Sequence, residues 1–265
     1  MVRIIFLFIF FLYCFSSFAG EKKIIIAGNR MVKSLVDYIV KDKYFVYCPV
    51  SANICPGHYS YKISDVVNAE KSIAVFYNGY EVWIKELIRK RNLENKKRKI
   101  VEIKDELMIP EKFKKNARLV CNVLCEIDEK NRKYFEDNYE KLLFEIKNTV
   151  KNLKKFEGEK VACSLYQKDF AEWLGLDTVC IFSVKDSKSP AGILSFIEKC
   201  RKSNVVLIIE NRQSSFHLGE VLKKELKVKC VYLSNFPSEK ESYIDLLTGN
   251  YKKIKDALFL RNNKK

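Results

Sequence analysis

Histidine is scarce in this sequence, with only His58 and His217 among 265 residues. Imidazole is the commonest metal ligand and a frequent acid–base catalyst, so a histidine-rich metal site or a set of histidine catalysts is excluded. Glycine and proline are also few, at nine and five residues, whereas 48% of the residues are hydrophobic. This composition excludes collagen-like, low-complexity and disordered chains, and the length suffices for one large or two smaller domains.

Sequence motifs of the common enzyme classes are missing as well. The turn Ala27-Gly28-Asn29 after the first predicted strand lacks the further glycines of a phosphate-binding loop. No nucleophile elbow occurs, and neither histidine lies in a recognisable cysteine-protease context. We therefore predict that the protein is not an enzyme.

The first nineteen residues have the pattern of a secretory signal peptide. Arg3 precedes an apolar run over residues 4–15, and small residues stand at Ser17 and Ala19. This run is shorter than the roughly 20 apolar residues that span a membrane, and no other run qualifies. Cys14 suggests a lipoprotein, but the bulky residues 11–13 before it do not suit that signal. We predict cleavage after Ala19 and export of a soluble chain to the periplasm.

Eight cysteines remain after residue 19, and an oxidising compartment permits disulfides among them. They are Cys48, Cys55, Cys121, Cys125, Cys163, Cys180, Cys200 and Cys230. Several lie in apolar runs, where cysteine behaves as a small hydrophobic residue, so we expect mostly buried thiols. Cys48 and Cys55, both in a predicted loop region, are the pair for which a disulfide is worth testing.

Predicted strands and helices alternate over residues 23–103 and again over residues 160–260, which indicates parallel sheets with helical crossovers. Residues 111–156 instead show helical spacing with no strand signal, interrupted near residues 127–131. We predict a long helix over about residues 129–156. The resulting organisation is a signal peptide (1–19), an N-terminal α/β lobe (20–125), a linking helical segment (126–156) and a C-terminal α/β lobe (157–265).

Four segments carry local motifs in a fixed order: residues 56–66, 75–83, 126–138 and 189–213. In this order they resemble the metal-receptor family of periplasmic substrate-binding proteins, which deliver zinc or manganese to ABC transporters. The resemblance covers essentially the whole mature chain. It implies two Rossmann-like lobes of parallel sheet flanked by helices, joined by one long rigid helix, with the ligand in the cleft between them. It also implies a small hinge or shear motion and a membrane permease as partner.

The metal ligands are where this sequence departs from the family. The family's usual ligands are three histidines and a late aspartate, and only the first histidine has a counterpart here, His58. Residues 106–113 contain no histidine, and the third and fourth positions fall on Ser164 and Ser234. We expect these two serines to line the cleft.

Other residues offer replacement ligands. Cys55 lies three residues before His58, and a Cys-x-x-His turn can bring a thiolate and an imidazole to one ion. Glu210 and Cys163 are predicted at strand ends of the second lobe. These four residues are our predicted metal site, and its soft donors favour zinc or copper(I) over manganese. His217 is predicted to be a surface residue instead.

The net charge of +16 suggests an alternative in which metal binding is lost. Residues 85–99 contain eight basic and two acidic residues. A basic adaptor that docks on an anionic membrane or permease surface, or a receptor for a non-metal small ligand, would fit this charge. Nucleic acid is not an expected partner of an exported protein. We expect a monomer that binds zinc or a metal-containing ligand and delivers it to a permease.

Overall fold

The computed structural model describes residues 22–95, 98–183, 189–214 and 218–262. Within them, eight strands form two four-stranded sheets in which every strand pair is parallel. The strands are β1 (Ile24–Ala27), β2 (Phe45–Tyr47), β3 (Ala74–Tyr77), β4 (Lys99–Glu102), β5 (Lys160–Ser164), β6 (Asp177–Phe182), β7 (Leu207–Asn211) and β8 (Lys229–Leu233). The sheet orders are β2-β1-β3-β4 and β6-β5-β7-β8, so the two lobes repeat one topology.

Helices follow the strands as right-handed crossovers require. They are α1 (Arg30–Val40), α2 (Ile63–Lys71), α3 (Val82–Lys90), α4 (Pro110–Ile127), α5 (Arg132–Lys151), α6 (Lys168–Trp173), α7 (Pro190–Lys202), α8 (Leu218–Leu226) and α9 (Tyr243–Asn262). The side chain of Ser189 caps α7 as its sequence predicts, accepting a hydrogen bond from the Gly192 N–H at 3.1 Å. The predicted fold class of two α/β lobes is confirmed.

The linking segment consists of two helices with a break between them. A 3₁₀ turn over Glu129–Asn131 separates α4 from α5, near the predicted interruption. Helix α5 ends at Lys151, five residues before the predicted end at Phe156. Beyond this end, the Phe156 N–H donates to Leu174 O of the second lobe at 2.8 Å. The predicted lobe boundary after Cys125 falls inside α4.

The two lobes share one hydrophobic core. Its buried residues come from both sheets, including Ile25 of β1 and Val161 of β5. Helix α5, about 30 Å long, packs against α1 and α4 on one side and α9 on the other. Tyr243 of α9 stacks on Phe113 of α4, with ring centroids 3.8 Å apart. Apolar burial therefore holds the two lobes together, and the shared core reaches the cleft at Met31, Leu107 and Phe236.

Two observations concern the predicted export of the chain. No helix in the described part of the chain is long and apolar enough to cross a membrane. The predicted signal peptide, residues 1–19, lies outside the described residues.

Candidate functional site in the cleft between the lobes

A cleft of about 330 Å³ lies between the lobes, at the carboxyl ends of both sheets. Its walls include Asn78, which follows β3, and Glu106, four residues beyond β4. On the opposite side they include Asn211, the last residue of β7, and Asn235, two residues beyond β8. The carboxyl edge of a parallel sheet is the usual ligand site of α/β proteins, because loops and helix starts converge there.

Cys55 and His58 lie on the N-terminal wall of this cleft. Pro56–His58 forms a 3₁₀ turn, closed by a hydrogen bond from the His58 N–H to Cys55 O at 2.9 Å. Residues three apart eclipse each other in such a turn, so both side chains lie on one side of it. Tyr59, the residue after His58, is held by buried Asp65, because the Tyr59 hydroxyl donates a hydrogen bond to Asp65 Oδ2 at 2.8 Å.

Two acidic residues after β4 also line the cleft, but only one is available to a ligand. Asp105 accepts hydrogen bonds from Asn116 at 2.9 Å and Lys115 at 3.0 Å, and these contacts lower the pKa of its carboxyl. Glu106 takes part in no salt bridge within the described ranges, and the cleft walls raise the pKa of its carboxyl by displacing water. The Glu106 carboxylate is therefore a candidate ligand.

A buried polar cluster supports the N-terminal wall from behind. Glu81, fully buried, accepts hydrogen bonds from Asn29 Nδ2 at 2.6 Å and from the Asn78 N–H at 3.0 Å. Asn78 Oδ1 in turn accepts from Asn29 Nδ2 at 2.8 Å. Burial raises the pKa of the Glu81 carboxyl despite these donors. The cluster holds Asn78 and the neighbouring Tyr80 at the cleft edge.

The C-terminal wall is built from side-chain amides. Gln213 Nε2 donates to Ser234 Oγ at 2.7 Å and, across the cleft, to Ala52 O at 2.8 Å. Its Oε1 accepts from the Asn235 N–H at 3.2 Å. Asn235 Oδ1 accepts from buried Gln167 at 2.7 Å. This wall is therefore ordered by neutral hydrogen bonds and presents amides to the cleft.

The two predicted ligands of the second lobe do not line this cleft. Glu210 is buried, and its carboxylate accepts hydrogen bonds from the N–H groups of Asn211 and Gly219, both at 2.9 Å. Cys163 is fully buried in β5, where burial raises the pKa of its thiol and disfavours the thiolate that binds metal. Their predicted ligand roles stay untested predictions, and the geometry gives them structural roles.

The two serines predicted to line the cleft lie behind its walls. Ser164 borders a separate void of about 10 Å³ beside Glu210. Ser234 is buried, accepts from Gln213 and donates to Phe236 O at 2.8 Å. Ser164 ends β5 and Ser234 follows β8. The cleft is lined instead by Tyr166, two residues beyond Ser164, and by Asn235, the residue after Ser234.

Donors for a metal ion are therefore concentrated on one wall. Cys55, His58 and Glu106 all line the cleft, but no set of three His, Cys, Asp or Glu close enough to hold an ion occurs among residues 22–95, 98–183, 189–214 and 218–262. Tight zinc sites use three or four protein ligands. His217 lies outside the described residues.

All eight cysteines of the described residues are free thiols, most of them buried as predicted. The Cys48 Sγ–H donates to Val50 O at 3.7 Å, and burial raises the pKa of this thiol to about 11. Cys48 and Cys55, the pair predicted as worth testing, are not joined by a disulfide.

Part of the basic segment has structural contacts. Arg98 donates to the carbonyl oxygens of Ala69 and, at 3.2 Å, Glu70 at the end of α2. Lys99 forms a salt bridge with Glu126 at 2.8 Å. Lys96 and Lys97 lie outside the described residues. The segment is thus less available as a docking surface than its sequence indicates.

The fold and the cleft define a two-lobed substrate-binding protein. Residues 25–257 match the family ZnuA, described as the periplasmic component A of a zinc-uptake complex, and the chain belongs to this family. The family consists of metal-binding transport receptors that work with ABC permeases. No curated protein matches the chain.

Solved structures agree with this assignment at the level of the fold. A crystal structure of ZnuA has 18% sequence identity and a TM-score of 0.76, over 89% of this chain and 99% of that one. A periplasmic metal-binding protein from Candidatus Liberibacter asiaticus has 18% identity and a TM-score of 0.75, over 89% of this chain and 100% of that one. Its Mn-bound form, with the same identity and coverage, has a TM-score of 0.72.

Several residues of the cleft were not predicted as site residues. Glu106, Tyr166, Asn211, Gln213 and Asn235 all stand at or shortly after strand ends. This position is a usable signal, because the ends of parallel strands converge on the ligand site. The sequence analysis instead followed the residue types that the family uses for metal.

Proposed function

We propose that the protein is the exported, monomeric substrate-binding protein of an ABC transporter. It binds zinc, or a small ligand that contains the metal, in the cleft between the lobes and delivers it to a membrane permease. Residues 1–19 serve as the signal peptide. The observation that carries the proposal is that Cys55 and His58 line the cleft from the two ends of one turn. Membership of the metal-receptor family supports it.

The chemistry of these side chains suits a borderline-soft cation. A thiolate and a neutral imidazole are preferred ligands of zinc, and the Glu106 carboxylate lies on the same wall of the cleft. Binding converts the Cys55 thiol to a thiolate, so uptake of the ion releases a proton. The C-terminal lobe closes over the ion with amides, and contacts such as Gln213 with Ala52 hold the lobes together.

To test zinc binding, the purified mature protein is first stripped of metal with a chelator. Zinc is then titrated in, and bound zinc is measured by elemental mass spectrometry. We expect about one equivalent per chain. His58→Ala and Cys55→Ser should each weaken zinc binding about tenfold or more. Cys48→Ser is the matched control, since Cys48 is a thiol of the same lobe outside the cleft wall.

The result that would overturn the proposal is a parent protein that retains no zinc on titration while remaining folded. Equal loss in Cys48→Ser and Cys55→Ser would show that the effect is on folding and not on a ligand. The metal-free alternative makes a separate prediction, in which a small organic ligand binds with the same affinity whether zinc is present or not.

A further inference from the structure

The donors in the cleft are too few for a bare ion. Cys55, His58 and Glu106 are the soft or anionic groups available on its walls, and the described part of the chain holds no cluster of three such residues around one point. A zinc ion bound here would keep positions for donors that the described residues do not supply. Water, or a molecule that accompanies the metal, can supply those donors.

The opposite wall offers hydrogen-bond donors with no partner in the protein. Asn211 is only 5% exposed, and its Oδ1 accepts from Gln167 Nε2 and the Gln213 N–H, both at 3.4 Å. Asn211 lines the cleft, and its Nδ2 donates to no described residue. Tyr166, which is 57% exposed, and Ser214 line the same wall, and their hydroxyls make no hydrogen bond to the described residues. A ligand oxygen can accept hydrogen bonds from these three groups in place of water.

The size of the cleft also exceeds what an ion needs. Its volume of about 330 Å³ corresponds to about ten waters at ~30 Å³ each. This volume lies at the lower end of the range of small-molecule pockets, ~300–1,000 Å³. An organic molecule therefore fits in the cleft together with an ion.

The charges of the cleft residues indicate which kind of organic molecule can accompany the metal. None of the described residues that line the cleft is a lysine or an arginine, although the chain carries a net charge of +16. A free carboxylate ligand would face the Glu106 carboxyl with no cation to balance it. A carboxylate bound to a metal ion carries its own balancing charge, and its oxygens accept hydrogen bonds from neutral donors.

We propose that the cleft binds its metal as a complex with a small amino- or hydroxycarboxylate, in which Cys55 and His58 bind the ion while Asn211, Tyr166 and Ser214 donate hydrogen bonds to the carboxylate. Glu106 lies on the same wall as the two metal ligands. This inference rests on the proposed function and names its substrate class. Binding exchanges water on the ion for protein donors, and the proton of Cys55 passes to solvent.

Equilibrium dialysis of the metal-stripped mature protein tests this, with zinc and either histidine or citrate carrying separate radiolabels. We expect zinc and the carboxylate to be retained together, one of each per chain, and each to be retained about tenfold more weakly without the other. Native mass spectrometry should show the ternary complex.

Two variants test the proposed carboxylate contacts. Asn211→Asp replaces the donor by a carboxylate of the same shape and should reduce retention of the carboxylate about tenfold or more. Tyr166→Phe removes one hydroxyl and should reduce it about threefold to tenfold. Asn148→Asp, at an exposed position of α5, is the matched control and should change nothing.

The outcomes separate this inference from the proposed function. Zinc retained equally well alone, with no carboxylate, would overturn the inference and leave zinc binding intact. Carboxylate retained equally well without zinc while no zinc is bound, or neither label retained, would overturn both. Unchanged carboxylate retention in Asn211→Asp would overturn the assigned contacts.

Discussion

The two lobes have the same sheet order and each buries a glutamate near the end of its third strand. The side chains that they present to the cleft nevertheless differ in chemical type. The two glutamates are Glu81 after β3 and Glu210 in β7, and each carboxylate accepts a backbone N–H. Each glutamate also lies against a glycine, Gly28 or Gly219. The shared framework is therefore built in the same way twice.

The difference lies in the loops beyond the strands. The N-terminal loops bring a thiol, an imidazole and a carboxylate to the cleft, in Cys55, His58 and Glu106. The C-terminal loops bring amides and hydroxyls, such as Asn211 and Tyr166. The repeated scaffold thus leaves ligand chemistry free to diverge, because the residues that hold the sheet and the residues that face the ligand are different ones.

The largest expected effect is a loss of stability when a contact between the two lobes is removed. Tyr243 of α9 stacks on Phe113 and donates a hydrogen bond to Met108 O at 3.2 Å in the other lobe. Tyr243→Ala should lower the free energy of unfolding by ~3–5 kcal/mol, through the cavity and the lost stack. Tyr243→Phe keeps the ring and should cost about 1 kcal/mol.

Each lobe carries one of the two tryptophans, Trp83 in α3 and Trp173 in α6, so urea unfolding can be followed in each lobe separately. Single-tryptophan versions with Trp83→Phe or Trp173→Phe report one lobe each. The parent should show coincident midpoints, and Tyr243→Ala should separate them. Separate midpoints in the parent would show that the shared core does not couple the lobes.

The next effect is the dependence of stability on pH that buried Glu81 gives to the N-terminal lobe. Burial raises the pKa of Glu81 above its usual 4.5, so the folded state holds the proton more tightly than the unfolded state. The stability from this group is present below pH 4.5 and is lost as pH rises through the raised pKa, by at most about 1.4 kcal/mol per pH unit.

Glu81→Gln removes this component, so the difference in unfolding free energy between parent and variant should change with pH above 4.5. Measurement is by urea unfolding across a pH series. Glu239→Gln, at a side chain that is 81% exposed, serves as the control. A constant difference over the whole series would contradict a raised pKa for Glu81.

The smallest of these effects compares the two glycines. A Cβ at Gly28 would lie 2.7 Å from Glu81 Oε1 and 2.8 Å from Tyr77 Cβ. Gly28→Ala should therefore destabilise the protein by ~1–3 kcal/mol. At Gly219 the nearest atom is Cys230 Sγ, at 2.9 Å, and alanine also gains ~0.5–1 kcal/mol of helix propensity in α8. Gly219→Ala should thus cost less than Gly28→Ala.

Gly249→Ala is the control, because it lies in α9 with no atom within 4 Å of an added Cβ, and it should stabilise the protein slightly. Thermal unfolding of the three variants provides the measurement. The reverse order, with Gly219→Ala the more damaging, would show that the C-terminal glycine position is the tighter one.

Most of the fold was predictable from local pattern. Apolar runs such as residues 205–210 and the capped start of α7 at Ser189 identify elements because burial and capping act on neighbouring residues. The segment after α5 was not predictable, because there the Phe156 N–H bonds to Leu174 O, a residue distant in sequence. The observed strand β7, Leu207–Asn211, extends one residue beyond the predicted end, where Asn211 pairs with Leu233 of β8.

The site was predictable only on its N-terminal side. Cys55 and His58 are three residues apart, so their proximity follows from a single turn. Asn211, Gln213 and Asn235 meet only because β7 and β8 pair and end together. Residue type gave no signal for them, since amides are common in loops.

The sequence by itself determined two α/β lobes, the helical segment between them and the shortage of histidine, because periodicity and composition are local properties. Only the tertiary structure decided that Cys163 and Glu210 are buried within the second lobe while Glu106 and Asn211 face each other across the cleft. Which side of a strand end faces the ligand depends on how the two sheets pack, and that packing is fixed by a core drawn from both lobes.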